Sequence, residues 1–541
     1  MPKRVKPKQR RTVWVICGLL VALAAIAHWP VVSPPTVSPQ TTYVTGPLRS
    51  DGTVDYIAAV NQRLEARAAG KANAAALIIK ALGPDAIWEM GSGRDPRAYD
   101  VLSDLGVAAL PATGDYLLTL DRWSASQRIL SQRERELLEQ GEEIQAALAE
   151  LITTGAPLSR FPLVSQWLEI NRQPLSLLKE ATTRPVYYAP MWTPSNRPDH
   201  MVYAHGVKLG PCEVAAQAFC VRALTHLTGG DAAAAWSELL ACHRLARLVD
   251  QSFGSYEYRL ALRIDAWAVR TELTIIAKGL AGEAELASLR EQVGELRALR
   301  SFALVTGSDV RLELLDAVMV FRRWGELRDP AIFREGPVAR APRQLDWDYL
   351  LAAINVWWSK VAMADDEATY VEYLEARRHV GVEFRADRPD VDETSDGAFF
   401  EPSLAERLSR LGGRPFRRYP SRCWVVRMLG LPFGAQYSPR VKYDAHRAYV
   451  RLRKLAFELA EHKSDQGEFP ATLDALGLDG AFDVLSDPFT GNPFIYKRTP
   501  QGYKLYSIGQ NLTDDNGLNE NDPMSDNGYP NGPDDIGIVV E

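Results

Sequence analysis

Cysteine is scarce in this chain. Its five thiols (Cys17, Cys212, Cys220, Cys242 and Cys423) form no C-x-x-C pair and no zinc-type spacing. Cys212 and Cys220 lie eight apart on one expected helix, roughly 12 Å by helical rise, too far to bridge. Cys220 and Cys242 fall on consecutive helices and can approach, with buried free thiols as the expectation. Also missing are a Gly-x-Ser-x-Gly elbow, a His-Glu-x-x-His pair, a P-loop and a dinucleotide fingerprint. Gly91-Ser92-Gly93 is a turn, since no Gly-Lys follows it. The last absence is one of charge sign: no base occurs after Lys504.

Apolar residues make up 46% of the 541 residues and charged residues 24%, which is ordinary for a folded protein and excludes wholesale disorder. The length implies two or more domains. Residues 1–11 carry six bases (Lys3, Arg4, Lys6, Lys8, Arg10 and Arg11) and no acid; the remainder has a net charge of −12. Such an acidic remainder argues against nucleic-acid binding, which needs a basic surface to release counterions. Residues 13–29 are uncharged and apolar, roughly 25 Å as a helix. With the bases of residues 1–12 held in the cytoplasm, they read as a transmembrane signal anchor. Ala25-Ile26-Ala27 offers a small-x-small cleavage site, whereas Trp29 and Pro30 favour retention. The expectation is a single-pass inner-membrane protein, attached through residues 13–29, with its bulk outside the cytoplasm.

Residues 30–54 open with a run rich in Pro, Ser and Thr, read as an extended linker. Residues 55–384 read as a helical body. Tyr56, Ile57, Val60 and Leu64 recur at helical spacing, and the run 74–82 stops at Gly83-Pro84. The clearest pair starts at Pro211 and runs through Ala215, Ala218, Phe219 and Leu224 to Gly229-Gly230. Asp231 then caps a helix bearing Trp236, Leu239, Leu240, His243 and Leu248. This hairpin resembles a tetratricopeptide-type unit, but one good copy falls short of the three a solenoid needs. Further helices are expected over 127–154, 256–278, 283–299, 309–324, 345–363 and 364–379. Residues 385–442 read as an irregular linker region with a short helix near 403–411.

Residues 443–541 read as a small α+β module. A helix over 443–463 carries Tyr449, Leu452, Leu455, Ala456 and Leu459 on one side. Residues 494–498 and 503–508 alternate as a hairpin around 499–502, and 535–540 can add a third strand. The order of motifs here resembles the C-terminal region of type II secretion major pseudopilins, the G-type subunits. Gly467, Phe469 and Pro470, the turn Asp487-Pro488-Phe489-Thr490-Gly491-Asn492-Pro493, the run from Tyr503 to Gly509 and Asp534-Asp535-Ile536 carry that resemblance over about 100 residues. It implies a calcium-binding loop before the last strand, with Asp514, Asp515, Asp534 and Asp535 and main-chain carbonyls near Leu512 as ligands. Composition agrees independently: eight acids and no base follow Lys504, interleaved with Asn and Gly. Neither Gly517 nor Gly528 sits in an EF-hand register. The plain alternative is a solvated acidic tail. The prepilin leader motif is missing, so the resemblance implies a borrowed fold and no pilus subunit. The whole chain looks like large exported bacterial proteins that carry such a C-terminal unit.

Other candidate clusters have plainer explanations. Glu458, Glu461 and His462 read as a solvated helix end, and His200 and His205 as loop residues. Asp346, Trp347, Asp348, Asn355, Trp357 and Trp358 can line a glycan-hydrolysing cleft. A capping Asp346 and a buried Trp stripe explain the same letters. The expected fold class is mainly α: an N-terminal membrane helix, a multi-helix body and a pseudopilin-like α+β module. The expected function is a membrane-anchored, extracytoplasmic scaffold with envelope protein partners, its module stabilised by calcium. A hydrolase of envelope glycans and an accessory part of a secretion apparatus are the alternatives.

Overall fold

A computed structural model of the protein describes residues 35–87, 95–108, 110–120, 128–324, 422–478, 482–520, 522–524 and 532–540, with isolated positions between 348 and 374. The molecule is mainly helical and ends in a small sheet. The expected N-terminal membrane helix is corrected: among the described residues no helix is long and apolar enough to cross a membrane. The longest helices carry charge at nearly every turn, as Glu257, Arg259, Arg263, Asp265, Arg270 and Glu272 do in Ser255–Ala277. Residues 13–29 lie outside the described residues.

The body begins with α1 (Tyr56–Ala68), whose first turn is closed by the Asp55 carboxylate accepting from the Ala58 amide. It continues through α2 (Ala75–Leu82), α3 (Pro96–Asp104), α4 (Gln132–Glu139), α5 (Gly141–Thr154), α6 (Pro162–Ile170) and α7 (Arg172–Ala181). A single helix was expected over 127–154. The chain instead breaks between α4 and α5, because Gly141 packs against the Leu120 carbonyl where a Cβ would collide. A capping box between Ser131 and Glu134 starts α4.

The centre of the body is α8 (Cys212–Thr228), α9 (Ala232–Val249) and α10 (Ser255–Ala277), packed on one another. As the sequence predicts, Asp231 caps α9, its carboxylate accepting from the Ala234 amide at 2.9 Å. Fully buried Ala215, Ala216, Ala218 and Ala223 line α8, so the helix backbones can approach closely. Beyond α11 (Glu283–Gly294), α12 (Phe302–Val305) runs through a π-turn at Thr306–Val310 into α13 (Arg311–Trp324).

Residues 35–54, expected as an extended spacer, fold against this body. Ser38, Thr41 and Thr42 bond among themselves and to nearby carbonyls, building a turn where an extended chain would have none. Thr42 is fully buried and its carbonyl accepts from the Tyr56 hydroxyl. Asn355 donates to the Thr41 carbonyl at 2.6 Å and accepts from Arg311, whose guanidinium covers the Tyr43 ring at 3.8 Å.

The C-terminal unit is built on α14 (Arg422–Gln466), a 45-residue helix that starts well before the expected position 443 and ends at left-handed Gly467. Strands β1 (Ile495–Arg498), β2 (Tyr503–Ser507) and β3 (Ile536–Val540) form an antiparallel sheet in the order β1-β2-β3, pairing Tyr496 with Leu505 and Leu505 with Ile538. Leu452, Leu455, Ala456 and Leu459 of α14 bury against Tyr503, Leu505, Ile536, Ile538 and Val540. Each such leucine contributes about 1.5–3 kcal/mol of burial. The same core takes in Tyr258, Leu262, Ala266, Val269 and Leu273 of α10. Body and C-terminal unit therefore share one apolar core across α14.

Candidate metal centre

The turn that opens the sheet also positions the acidic loop. Buried Asp487 accepts from the Phe489 amide at 2.9 Å, closing the Asp-Pro turn on itself. It also accepts from the Ser507 hydroxyl at 2.9 Å and the Ile508 amide at 3.2 Å, which fastens the end of β2 to that turn. Burial pushes the Asp487 carboxyl up to about 6. Two residues past Ser507 the chain turns at Gly509, where φ is +67° and a Cβ would collide with the carbonyl and carboxylate of Asp534. Glycine is required there for both reasons.

From Gly509 the loop wraps around two adjacent carboxylates. Asp534 accepts from the Gln510 and Asn511 amides at 2.9 and 3.1 Å, and Asp535 accepts from the Gly517 and Asp515 amides at 2.7 and 3.0 Å. Asn511 donates from its side chain to Asp515 at 2.8 Å. Glu520 donates its amide to the Pro533 carbonyl and Asp535 donates its own to Leu518, so the returning strand is paired with the loop. Left-handed Leu512 and Asn516, with φ of 58° and 59°, carry the bends between.

Asp515, Asp534 and Asp535 each turn an oxygen to a common space, all within 4.8 Å of one another. Oxygens 2.3–2.6 Å from a calcium ion stand at most about 5 Å apart, so the spacing suits that cation. Asp535 is fully buried and its Oδ1 has no donor, while Asp534 is 2% exposed. Burial, and then the charge of the neighbouring aspartates, pushes both carboxyls up to about 6. Backbone amides lower both, without outweighing burial. An orphaned acceptor inside three converging carboxylates is what a hard, oxygen-seeking cation would satisfy.

The other expected ligands lie differently. Asp514 accepts from the Tyr506 hydroxyl at 2.9 Å and faces Lys497 at 3.7 Å, so its carboxylate joins the sheet surface and not the trio. The Asn516 amide, foremost, holds it below the usual carboxylate range. Leu512 is part of the loop, its side chain 37% exposed. Further along, Asp522 pairs at 2.5 Å with Arg270 of α10, whose guanidinium lies between the Trp267 and Tyr449 rings at 4.8 and 4.7 Å. Lys442 donates to the Pro523 carbonyl and Met524 is buried. The described part of the acidic segment is thus fastened to the helical body.

Other sequence candidates have structural partners. Glu461 pairs with Arg290 of α11 at 2.8 Å, Glu458 pairs with the same guanidinium, and His462 bonds the Glu468 carbonyl. Buried His200 bonds Asp316 at 3.0 Å, and the His205 ring lies against Trp192. Asp348 accepts from the Thr36 amide and hydroxyl. Asp346, Trp347, Trp357 and Trp358 lie outside the described residues. Cys220 and Cys242 do approach, at 3.9 Å between sulfurs, and are free.

One charged cluster was not expected. His243 of α9, fully buried, donates from Nδ1 to Asp265 at 2.6 Å and from Nε2 to Glu272 at 3.1 Å. Both carboxylates belong to α10, seven residues apart and so on one face. Arg247 and His446 also reach Asp265, at 2.6 and 2.8 Å, and Arg453 reaches Glu272 at 3.0 Å. Burial alone would lower the His243 pKa, but Asp265 and Glu272 outweigh it and raise it. Burial likewise opposes ionisation of Asp265 and Glu272. Arg247 and His243 nevertheless hold Asp265 well below the usual range, and Arg453 and His243 lower Glu272. The one legible signal was a histidine within the apolar stripe of an expected helix.

No family model, curated protein or solved structure matches this chain.

Proposed function

We propose that the protein is a helical interaction scaffold whose C-terminal α+β unit is locked by one calcium ion. The ion is held by Asp515, Asp534 and Asp535, with main-chain carbonyls of the loop near Leu512 completing its oxygen shell. The observation that carries this reading is the fully buried Asp535 carboxylate, one oxygen of which has no donor although two other acids face it. Leaving such a group unsatisfied costs about 1–3 kcal/mol or more for a charged one, and a divalent ion removes that cost.

The motif order that resembles the G-type pseudopilins supports the same reading, because its pieces meet at this loop. Asp487 and Ser507 anchor the strand end, Gly509 makes room for Asp534, and Asp534-Asp535 precede β3. An acidic loop with only three side-chain carboxylates suits the calcium levels found outside cells, which supports an extracytoplasmic role for the scaffold. Partners bind the helical body while the ion fixes the unit that closes its core.

Calorimetric titration of the metal-free, full-length protein with calcium tests the reading. One binding event per chain, lost in Asp535→Asn and not reproduced by magnesium at equal concentration, is the expected result. Absence of heat and of any change in melting temperature with calcium would remove the metal, and with it the proposed lock.

A further inference from the structure

A pair of half-buried acids, Glu257 and Glu313, faces a cavity lined by none of the residues of the acidic loop. The cavity, open on one side to solvent, offers about 420 Å³ between α1, the segment carrying Tyr187 and Met191, the start of α10 and the face of α13. Tyr187, Met191, Phe253 and Tyr256 supply much of its wall, and Glu257 and Glu313 supply its charge. Gly254, at φ +116°, brings them together: a Cβ there would lie 2.6 Å from a Glu257 oxygen and 3.6 Å from a Glu313 oxygen. Both carboxylates thus converge on one point beside the Gly254 backbone.

Arg300 and Arg259 act on Glu257 without outweighing its burial, and among the described residues no cation opposes the burial of Glu313. Asp309, delivered by the π-turn, accepts from the Gly254 amide and is itself neutralised by Arg300 at 2.8 Å and Arg63 at 3.3 Å. Arg300 also serves Asp250 at 3.0 Å. Among the described residues, neither Glu257 nor Glu313 forms an ion pair; Glu257 accepts from its own amide in the first turn of α10. Burial, reinforced by Asp309, pushes Glu257 up to about 7 and Glu313 up to about 8. Two such groups are costly in an apolar wall unless a cation joins them.

The shape of the site selects the kind of cation. Among the described residues, the acid trio of the C-terminal loop is the one group of three whose ligand atoms lie close enough to hold a metal ion. The Glu257 and Glu313 cavity instead has room for several carbon atoms, with ring faces and a thioether that attract an ammonium and its alkyl chain. We propose that this cavity binds a small alkylammonium, its charged head between the Glu257 and Glu313 carboxylates and its chain along Tyr187, Met191 and Phe253. The site is independent of the calcium lock.

The test uses the full chain and three probes: butylammonium, 1,4-diaminobutane and the neutral isostere 1-butanol, each titrated calorimetrically near pH 7.5. The two amines should bind and the alcohol should not. Because the cation displaces protons shared by the pair, the amine heat should vary with the ionisation enthalpy of the buffer. Glu313→Gln should weaken amine binding by about tenfold or more, a loss of at least about 1.4 kcal/mol. Glu257→Gln with Glu313→Gln should abolish it, while melting temperature stays equal or rises because two acids whose ionisation burial opposes are gone. Equal binding of butanol and butylammonium, an unchanged affinity in the folded double variant, or no amine heat at millimolar concentration would each overturn the proposal. The probe contrast on the unaltered protein decides the matter even if the double variant fails to fold.

Discussion

Two buried acidic clusters in this molecule are built on opposite principles. Asp265 and Glu272 lie deep between α9, α10 and α14, and every carboxylate there meets basic side chains of its own chain: His243 between them, Arg247 and His446 on one side, Arg453 on the other. Asp515, Asp534 and Asp535 converge with backbone amides and an asparagine as their partners. The first cluster holds its acids in the ionised form, whereas the second raises two of them to about 6. Burial is common to both, so countercharge decides the sign. A cluster with internal cations is a structural weld; one without them is a vacancy in charge that an external ion can complete.

The comparison can be broken most forcefully at His243. Replacing it by alanine leaves two carboxylates facing each other without their shared donor, and should cost about 3–5 kcal/mol in chemical denaturation. The opposite sign is expected at the other cluster. Asp535→Asn removes an uncompensated charge, so the metal-free protein should melt at the same temperature or higher, while its response to calcium disappears. In the unaltered protein, calcium at a hundredfold excess over its dissociation constant should add about 2.7 kcal/mol, read as a rise in melting temperature.

Acidity sharpens the contrast further. Asp534 and Asp535 have folded-state values raised to about 6 from the ordinary 3.8. In metal-free protein the stability they contribute is fully present below about pH 4 and is lost as pH rises through about 6. Protons and calcium compete for the same oxygens. The difference in melting temperature between calcium-loaded and dialysed metal-free protein should therefore shrink as pH falls from 7 through 6. A difference that stays constant over that range would separate the calcium effect from these two groups. The smallest effect is expected for Asp514→Asn, whose carboxylate faces Tyr506 and Lys497; the calcium-induced shift should be unchanged within error.

How far the sequence could carry this is visible residue by residue. The α8–α9 hairpin and the β1–β2 hairpin were legible because periodicities of 3.6 and 2 act locally and strong stop signals, Gly229-Gly230-Asp231 and Thr499–Gly502, bound them. The acidic loop was legible as composition, since no base follows Lys504. Its geometry was not: the chain direction set by Gly509 and the Tyr506 hydroxyl assign Asp514 to a different surface from its neighbour Asp515. The break at Gly141 depends on the Leu120 carbonyl, twenty-one residues away, and no window on the sequence contains both. The fold of residues 35–54 was obscured by composition, because Pro, Ser and Thr mark both spacers and the side-chain-bonded turn that forms here. His243, Glu257 and Glu313 looked like ordinary members of amphipathic helices. Their importance comes from what other helices bring beside them.

The continuity of α14 has a consequence for how the molecule responds to anything it binds. Because residues of one helix complete the hydrophobic packing of α10 on one flank and of the sheet on the other, loss of the sheet would expose apolar surface of both helices. Were the acid trio to take up the proposed ion, the stabilisation would reach α10 and α14 through the cluster they share with the sheet.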